Sequence, residues 1–228
     1  MFWYDWTMII LIPGIIVAIW AQARVSSAFN QYSRILSQSG YTAAQAARGI
    51  LDANGLSDIR IEQVRGNLTD HYDPRQKVLR LSQPVYNSTS LAALGIAAHE
   101  VGHAMQDKEE YAAMKIRSAI APVAQFGNYA SWFILIIGLI FGNFNLAMAG
   151  VVVFLAVVIF QLVTLPLEYN ASSRALIALE GGGYLRGSEV DGAKKVLSAA
   201  ALTYVAAALT SILTLLRLFI LAGGARRD

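Results

Sequence analysis

His99, Glu100 and His103 stand in the order HEVGH. On a helix, residues four apart share one face a turn apart, so the two imidazoles point the same way. Imidazoles so placed can bind one Zn²⁺ at about 2.0–2.1 Å. Glu100 lies one helical step from His99, beside the position such a metal leaves open. A carboxylate there can take a proton from the attacking water and later pass it to a leaving amine. Ala97, Ala98 and Gly102 are small, which permits close packing and leaves room near a metal.

A catalytic zinc site takes three protein ligands and keeps one position open. With no cysteine in the chain, disulfides and thiolate ligands are excluded. Histidine and carboxylate must supply the donors. The third-ligand candidates are His71, Asp107, Glu109, Glu110, Glu168 and Glu180. Glu168 is the best placed. It follows Pro166 at the end of an apolar stretch, and EYNASSRALIALE continues as helix, so its carboxylate projects from a fixed scaffold. Its alternative role is an interfacial carboxylate closing that stretch. Glu109 and Glu110 sit too near the end of the motif helix to fold back, and Glu180 precedes Gly181-Gly182-Gly183, where a helix is expected to stop.

The elements that hold these residues are set by the solvent. Of 228 residues, 56% are hydrophobic and only 14% charged, against about a quarter charged in soluble domains. A hydrocarbon core of roughly 30 Å needs about 20 apolar residues of helix. Stretches at about 6–23, 122–141, 146–165 and 199–221 meet or nearly meet that length. The division expected is residues 1–23 as a first membrane helix, 24–117 as a zincin module, 118–167 as a membrane hairpin, 168–198 as a helix carrying the third ligand, and 199–228 as a fourth membrane helix and tail. Trp3, Tyr4, Trp6 and Trp20 suit interfacial aromatic belts, and Pro13-Gly14 is expected to kink the first helix. Gln125 and Asn128 are expected to face protein rather than lipid. In the last stretch Thr203, Thr210, Ser211 and Thr214 can bond back to the helix, and Arg217 can snorkel. A helix lying in the interface is the alternative for that stretch. The fold expected is a mainly α integral-membrane protein with about four transmembrane helices and a small α+β zincin-like module.

Lysine and arginine set the orientation. Arg24, Arg34 and Arg48 follow the first stretch, Lys108, Lys115 and Arg117 precede the second, and Arg174, Arg186, Lys194 and Lys195 follow the third. All fall on one side, which is expected to be cytoplasmic, with the N-terminus outside. Arg226-Arg227 then lie outside, against the rule. The net charge of +3, without a basic cluster, argues against a nucleic-acid partner. The partners expected are a polypeptide substrate and the lipid bilayer.

Between the first two stretches the order reads helix, strand, strand, helix. YTAAQAARGILDANGL begins with a capping box, Thr42 and Gln45, and stops at Asn54-Gly55. IRIEQV and KVLRLS alternate as half-buried strands. Gly66-Asn67 and Asp73-Pro74 punctuate turns, and NSTS caps a helix from about Ser90 to Gln106.

HEVGH together with HYDP, VLRLS, AAHEVGHA and LPLEYNASSRA resembles the YugP-type bacterial membrane zinc metallopeptidases over almost the whole chain. A wider likeness extends to the HtpX-type heat-shock proteases and the CAAX prenyl proteases. The resemblance implies a gluzincin-like zinc protease of the bacterial plasma membrane, multi-pass, and the distribution of lysine and arginine is what sets its active site toward the cytoplasm as an expectation. It implies zinc held by His99, His103 and Glu168, with Glu100 as general base. The wider group places an aspartate four residues after the ligand glutamate, as partner to a histidine. Here that position is Ser172, with Asn170 as another polar group that could serve.

His71, Tyr72, Tyr169 and Arg174 are candidates to stabilise the oxyanion of a tetrahedral intermediate or to support the ligands. His71 has a turn-stabilising role and Arg174 a helix-surface role as alternatives. The strand at Leu79, Arg80 and Leu81 is expected to accept a peptide by strand addition, its alternative being an ordinary sheet strand. Two functions follow. One is a membrane-embedded zinc endopeptidase acting on membrane or misfolded proteins. The other is a non-catalytic zinc-binding scaffold or quality-control adaptor. Glu100 separates them, because a purely structural site needs no base between its ligands. A metal carrier fits less well, since transport sites sit at mid-membrane.

The orientation can be checked directly in this cysteine-free chain. A single cysteine at Asn143, in the short loop between the second and third stretches, is expected to react with an impermeant maleimide from outside intact cells. Labelling that requires permeabilisation would reverse the orientation.

Overall fold

The computed structural model describes residues 5–224. Trp3, Tyr4, Arg226 and Arg227 lie outside the described residues. After a 3-10 turn at Trp6–Leu11 come α1 (Ile12–Tyr32), α2 (Ala43–Ala53), β1 (Arg60–Val64), β2 (His71–Asp73), β3 (Val78–Ser82), α3 (Gln83–Tyr86), α4 (Leu91–Lys108), α5 (Ala112–Ile140), α6 (Phe144–Gly181) and α7 (Ser188–Gly224). Four helical segments are long and apolar enough to cross a membrane: Trp6–Tyr32, Ala112–Ile140, Phe144–Gly181 and Ser188–Gly224. The fourth apolar stretch is thus part of a helix with the length of a span. The chain divides into two compact units, one of Met1–Ala21, Lys115–Pro166 and Leu202–Asp228, the other of Gln22–Met114 and Leu167–Ala201.

In the first unit the helices pack through small residues. Ala124, Ser131 and Leu135 of α5 are buried, and Gly127 and Gly138 continue that stripe at helical spacing. A Cβ on Gly138 would meet the Ala147 nitrogen at 2.3 Å, and one on Gly150 the Ser131 oxygen at 2.6 Å. Such close approach gives apolar helices dispersion contacts that lipid cannot match. Gln125 and Asn128, expected to face protein, are exposed instead, because they fall off this inward stripe.

Arg217 does not snorkel. Its guanidinium donates to Asp5 Oδ2 at 2.6 Å and Thr7 Oγ1 at 3.0 Å and stacks over the Trp132 ring at 5.0 Å. A cation in an apolar surrounding is stabilised by such partners. Pro13 falls where the 3-10 turn passes into α1, within a helical segment that runs from Trp6 to Tyr32. Pro166 lies inside the 38-residue α6 without ending it, so the boundary expected at 167/168 is no helix break.

The second unit is built on a three-stranded sheet in the order β1-β3-β2. β1 runs parallel to β3, and β2 antiparallel to it. β2 was not expected, because its three residues fall where the sequence reads as turns. Its presence makes β3 the central strand, with Val78, Leu79, Leu81 and Ser82 buried. Beyond the end of β2, the Ser82 N–H is taken by Asp70 Oδ1 at 2.8 Å. Leu79, Arg80 and Leu81 therefore have no free edge for an added peptide, contrary to the expectation, and the free edges belong to β1 and β2.

α4 begins at the cap Ser90, whose side chain accepts from the Ala93 N–H. It ends where Glu110 takes a left-handed φ of 53°. Leu94, Ala97, Val101 and Ala104 bury one face of α4 in a core shared with Leu79, Leu81, Leu167, Ala175 and Leu179. Each large apolar side chain so buried stabilises by about 1.5–3 kcal/mol. Opposite Gly102 the approach is closest, since an added Cβ would meet the Ala171 carbonyl oxygen at 2.5 Å. Gly102→Ala is therefore expected to cost about 1–3 kcal/mol or more, read as earlier thermal unfolding in detergent. Gly181→Ala, where a Cβ meets nothing within 4 Å, is the matched control and should leave the transition in place.

Candidate metal centre

The contact at Gly102 sets α4 against the part of α6 that begins at Leu167, and it brings Glu168 opposite the two motif histidines. His99, His103 and Glu168 place their ligand atoms all within 4.8 Å of one another, a group of three that could hold a metal ion. Glu168 Oε2 lies 3.2 Å from His99 Nε2 and 3.5 Å from His103 Nε2. Ligands at about 2.0–2.1 Å from a tetrahedral zinc stand about 3.3 Å apart, so these separations fit the ion. The imidazoles meet edge to face, with centroids 4.7 Å apart. Glu168 is only 3% exposed. A carboxylate so buried needs a cation or donors around it, and its charge suits a divalent ion between neutral imidazoles.

The far nitrogen of each imidazole is also engaged. His99 Nδ1 lies 3.1 Å from Ser172 Oγ, so the serine at the position of the wider group's aspartate does meet a histidine. His103 Nδ1 lies 2.9 Å from Gln106 Oε1. Gln106 was not singled out in the sequence. Three residues after His103 it reads as an ordinary polar helix position, and only the packing of α6 shows it to be 0% exposed. A glutamine one turn from a motif histidine was the available signal.

Glu100 is half-buried beside this cluster. Its Oε2 accepts the Tyr72 backbone N–H of β2 at 3.0 Å. Burial pushes its carboxyl above the ordinary glutamate value, and the adjacent histidines pull in the opposite direction. Tyr72 also donates its hydroxyl to Asp107 Oδ2 at 2.8 Å, so one residue ties β2 to α4 at two points. Burial and that carboxylate push the Tyr72 phenol well above its usual value.

The other sequence candidates lie elsewhere. His71 is exposed, its Nδ1 2.8 Å from the Thr69 carbonyl oxygen. Asp107 holds Tyr72 and Lys77. Glu109 pairs with Arg174 through two bonds of 2.7 Å, and Glu110 ends α4. Tyr169, next to Glu168 and half exposed, lines a cleft of about 490 Å³ with Ser172, Glu180, Asp191 and Lys194.

Comparison with known proteins agrees with this chemistry. The family model described as "Putative neutral zinc metallopeptidase" matches residues 7–223. The curated protein named "Putative membrane protease YugP" from Bacillus subtilis (strain 168) is 50% identical over 201 residues, 88% of this chain and 89% of that protein. No solved structure matches the chain. With four apolar helices and three convergent zinc-type donors, this membrane protein belongs to the neutral zinc metallopeptidase family that matches nearly its full length.

Proposed function

We propose that the chain is a membrane-embedded zinc endopeptidase in which His99, His103 and Glu168 hold the metal and Glu100 is the general base. The observation that carries this reading is the position of Glu100, a half-buried carboxylate beside three convergent donors and held by the Tyr72 N–H. A structural zinc site needs no such group. Bound zinc supplies a Lewis acid that polarises the scissile carbonyl and acidifies water. Glu100 takes the proton from the attacking water and delivers it to the leaving amine. The Tyr72 N–H orients the carboxylate, so the base does not have to be ordered when substrate arrives.

β2 is the sheet edge that meets Glu100. The relative that is 50% identical is named a protease, which supports a protein substrate. The basic residues flanking the apolar stretches support a cytoplasmic active site in a bacterial plasma membrane. A site on a chain so anchored favours membrane proteins and exposed unfolded segments as substrates.

The test is metal content followed by turnover. Detergent-purified parent is expected to hold about one zinc per chain, and His99→Ala/His103→Ala almost none. Glu100→Gln is expected to keep its zinc and lose casein cleavage by about 10²-fold or more. A parent that takes up no zinc, or a Glu100→Gln variant that cleaves at the parental rate, would overturn the proposal.

A further inference from the structure

The hydrogen bonds around Gln106 run in one direction only. Its Nε2 lies 2.8 Å from the Leu167 carbonyl oxygen and 2.9 Å from Asn170 Oδ1. A backbone carbonyl can only accept, so the amide nitrogen of Gln106 must face it. The Gln106 oxygen is thereby turned toward His103 Nδ1, at 2.9 Å. An amide oxygen cannot donate, so Nδ1 must carry a proton, and Nε2 is the nitrogen left to give its lone pair to a metal. Nε2 is the nitrogen that faces Glu168.

Asn170 is oriented in the same way from further out. Its Oδ1 accepts from Arg174 Nε at 2.7 Å as well as from Gln106. Arginine has no acceptor, so the Asn170 amide has no freedom to turn. Arg174 is fixed in turn by its two bonds of 2.7 Å to the Glu109 carboxylate. The series Glu109, Arg174, Asn170, Gln106, His103 crosses between α4 and α6, and every amide in it has its orientation set by a group that can only donate or only accept. The Nδ1 of His99 has no such constraint, because the Ser172 hydroxyl beside it can donate or accept.

We infer that Gln106 is a positioning residue that locks His103 in the Nδ1-protonated, Nε2-ligating tautomer, with Asn170 holding it there and the Arg174–Glu109 pair as outer anchor. This deepens the proposed function, since it rests on His103 being a metal ligand. Metal-bound histidines commonly donate their other N–H to a fixed acceptor, and losing that acceptor weakens the metal roughly 10- to 100-fold. Here the acceptor is an amide on the same helix, a turn below the ligand, made unidirectional by the neighbouring helix.

The test is the zinc dissociation constant of detergent-solubilised full-length protein, measured by chelator competition. It is accompanied by ¹⁵N spectra of labelled histidine in the zinc-free protein, which distinguish the two tautomers. Gln106→Leu keeps the volume and removes the acceptor. It is expected to weaken zinc binding roughly 10- to 100-fold and to replace the single Nδ1–H signature of His103 with a mixture. A merely structural role would lower thermal stability and leave the tautomer unchanged. Should Gln106→Leu fail to fold, Asn170→Ala decides, because it removes one support from the amide at a half-buried position. A loss of zinc affinity of several-fold is then expected. A parent that binds no zinc defeats the assignment of His103 as ligand. A parent that binds zinc, with Gln106→Leu (or Asn170→Ala in its place) binding equally well, defeats only the present inference.

Discussion

Where Gly102 meets the carbonyl oxygen of Ala171, α4 and α6 approach more closely than any side chain would permit. The rest of the site follows from that contact. Glu168 is three residues before Ala171 on the same face of α6, and His99 and His103 flank Gly102 on α4. Bringing the two backbones together at this point places the carboxylate within 3.5 Å of both imidazoles. A larger residue at 102 would part the helices and separate the donors. Metal ligation demands separations good to a few tenths of an ångström, so a packing constraint one residue away from His103 also decides whether the three donors can share an ion.

Close packing removes water, and every polar group it covers must find a partner within the protein. Gln106 and Glu168 are the buried polar side chains nearest this contact. Glu168 is surrounded by the histidines, and Gln106 by a histidine, a carbonyl and an asparagine. The apolar residues of α4 and α6 supply the free energy that holds the helices together, while the polar ones define the register in which no group is left unsatisfied. Tyr72 performs the same function for the sheet, attaching β2 to α4 through both its N–H and its hydroxyl. The membrane-type unit obeys the same rule by itself. Arg217 is tolerated among apolar helices because Asp5, Thr7 and Trp132 take the place of water.

Residues with strong local signatures were legible from sequence. The capping box of Thr42 and Gln45 forms as read, with both of its hydrogen bonds present, because it depends only on neighbours within one helical turn. The apolar stretches are visible because crossing a hydrocarbon layer requires an uninterrupted run of apolar residues. HEVGH declares itself because the spacing of two histidines on one helix is a local property. β2 was not legible. Three residues between turns carry no periodic pattern, and HYD becomes a strand only because β3 offers it a ladder. That pairing moved β3 from the edge to the centre of the sheet and took away the role expected for Leu79, Arg80 and Leu81. Gln125 and Asn128 were misjudged for a related reason, since polarity suggests a buried partner but small residues decided which face of α5 packs.

By itself the sequence determined the donor types, the pairing of His99 with His103 on one face, the place of Glu100 beside them and the presence of long apolar helices, for these follow from composition and from contacts within a few residues. Only the tertiary structure decided which of six candidate third donors meets the histidines, what stands behind each imidazole, and which strand edge faces the site. Those outcomes depend on groups some 65 to 70 positions apart, as for Glu168 with His99 and Arg174 with Glu109. Their meeting is governed by where two helices can touch, and no pattern along the chain encodes that without its partner helix.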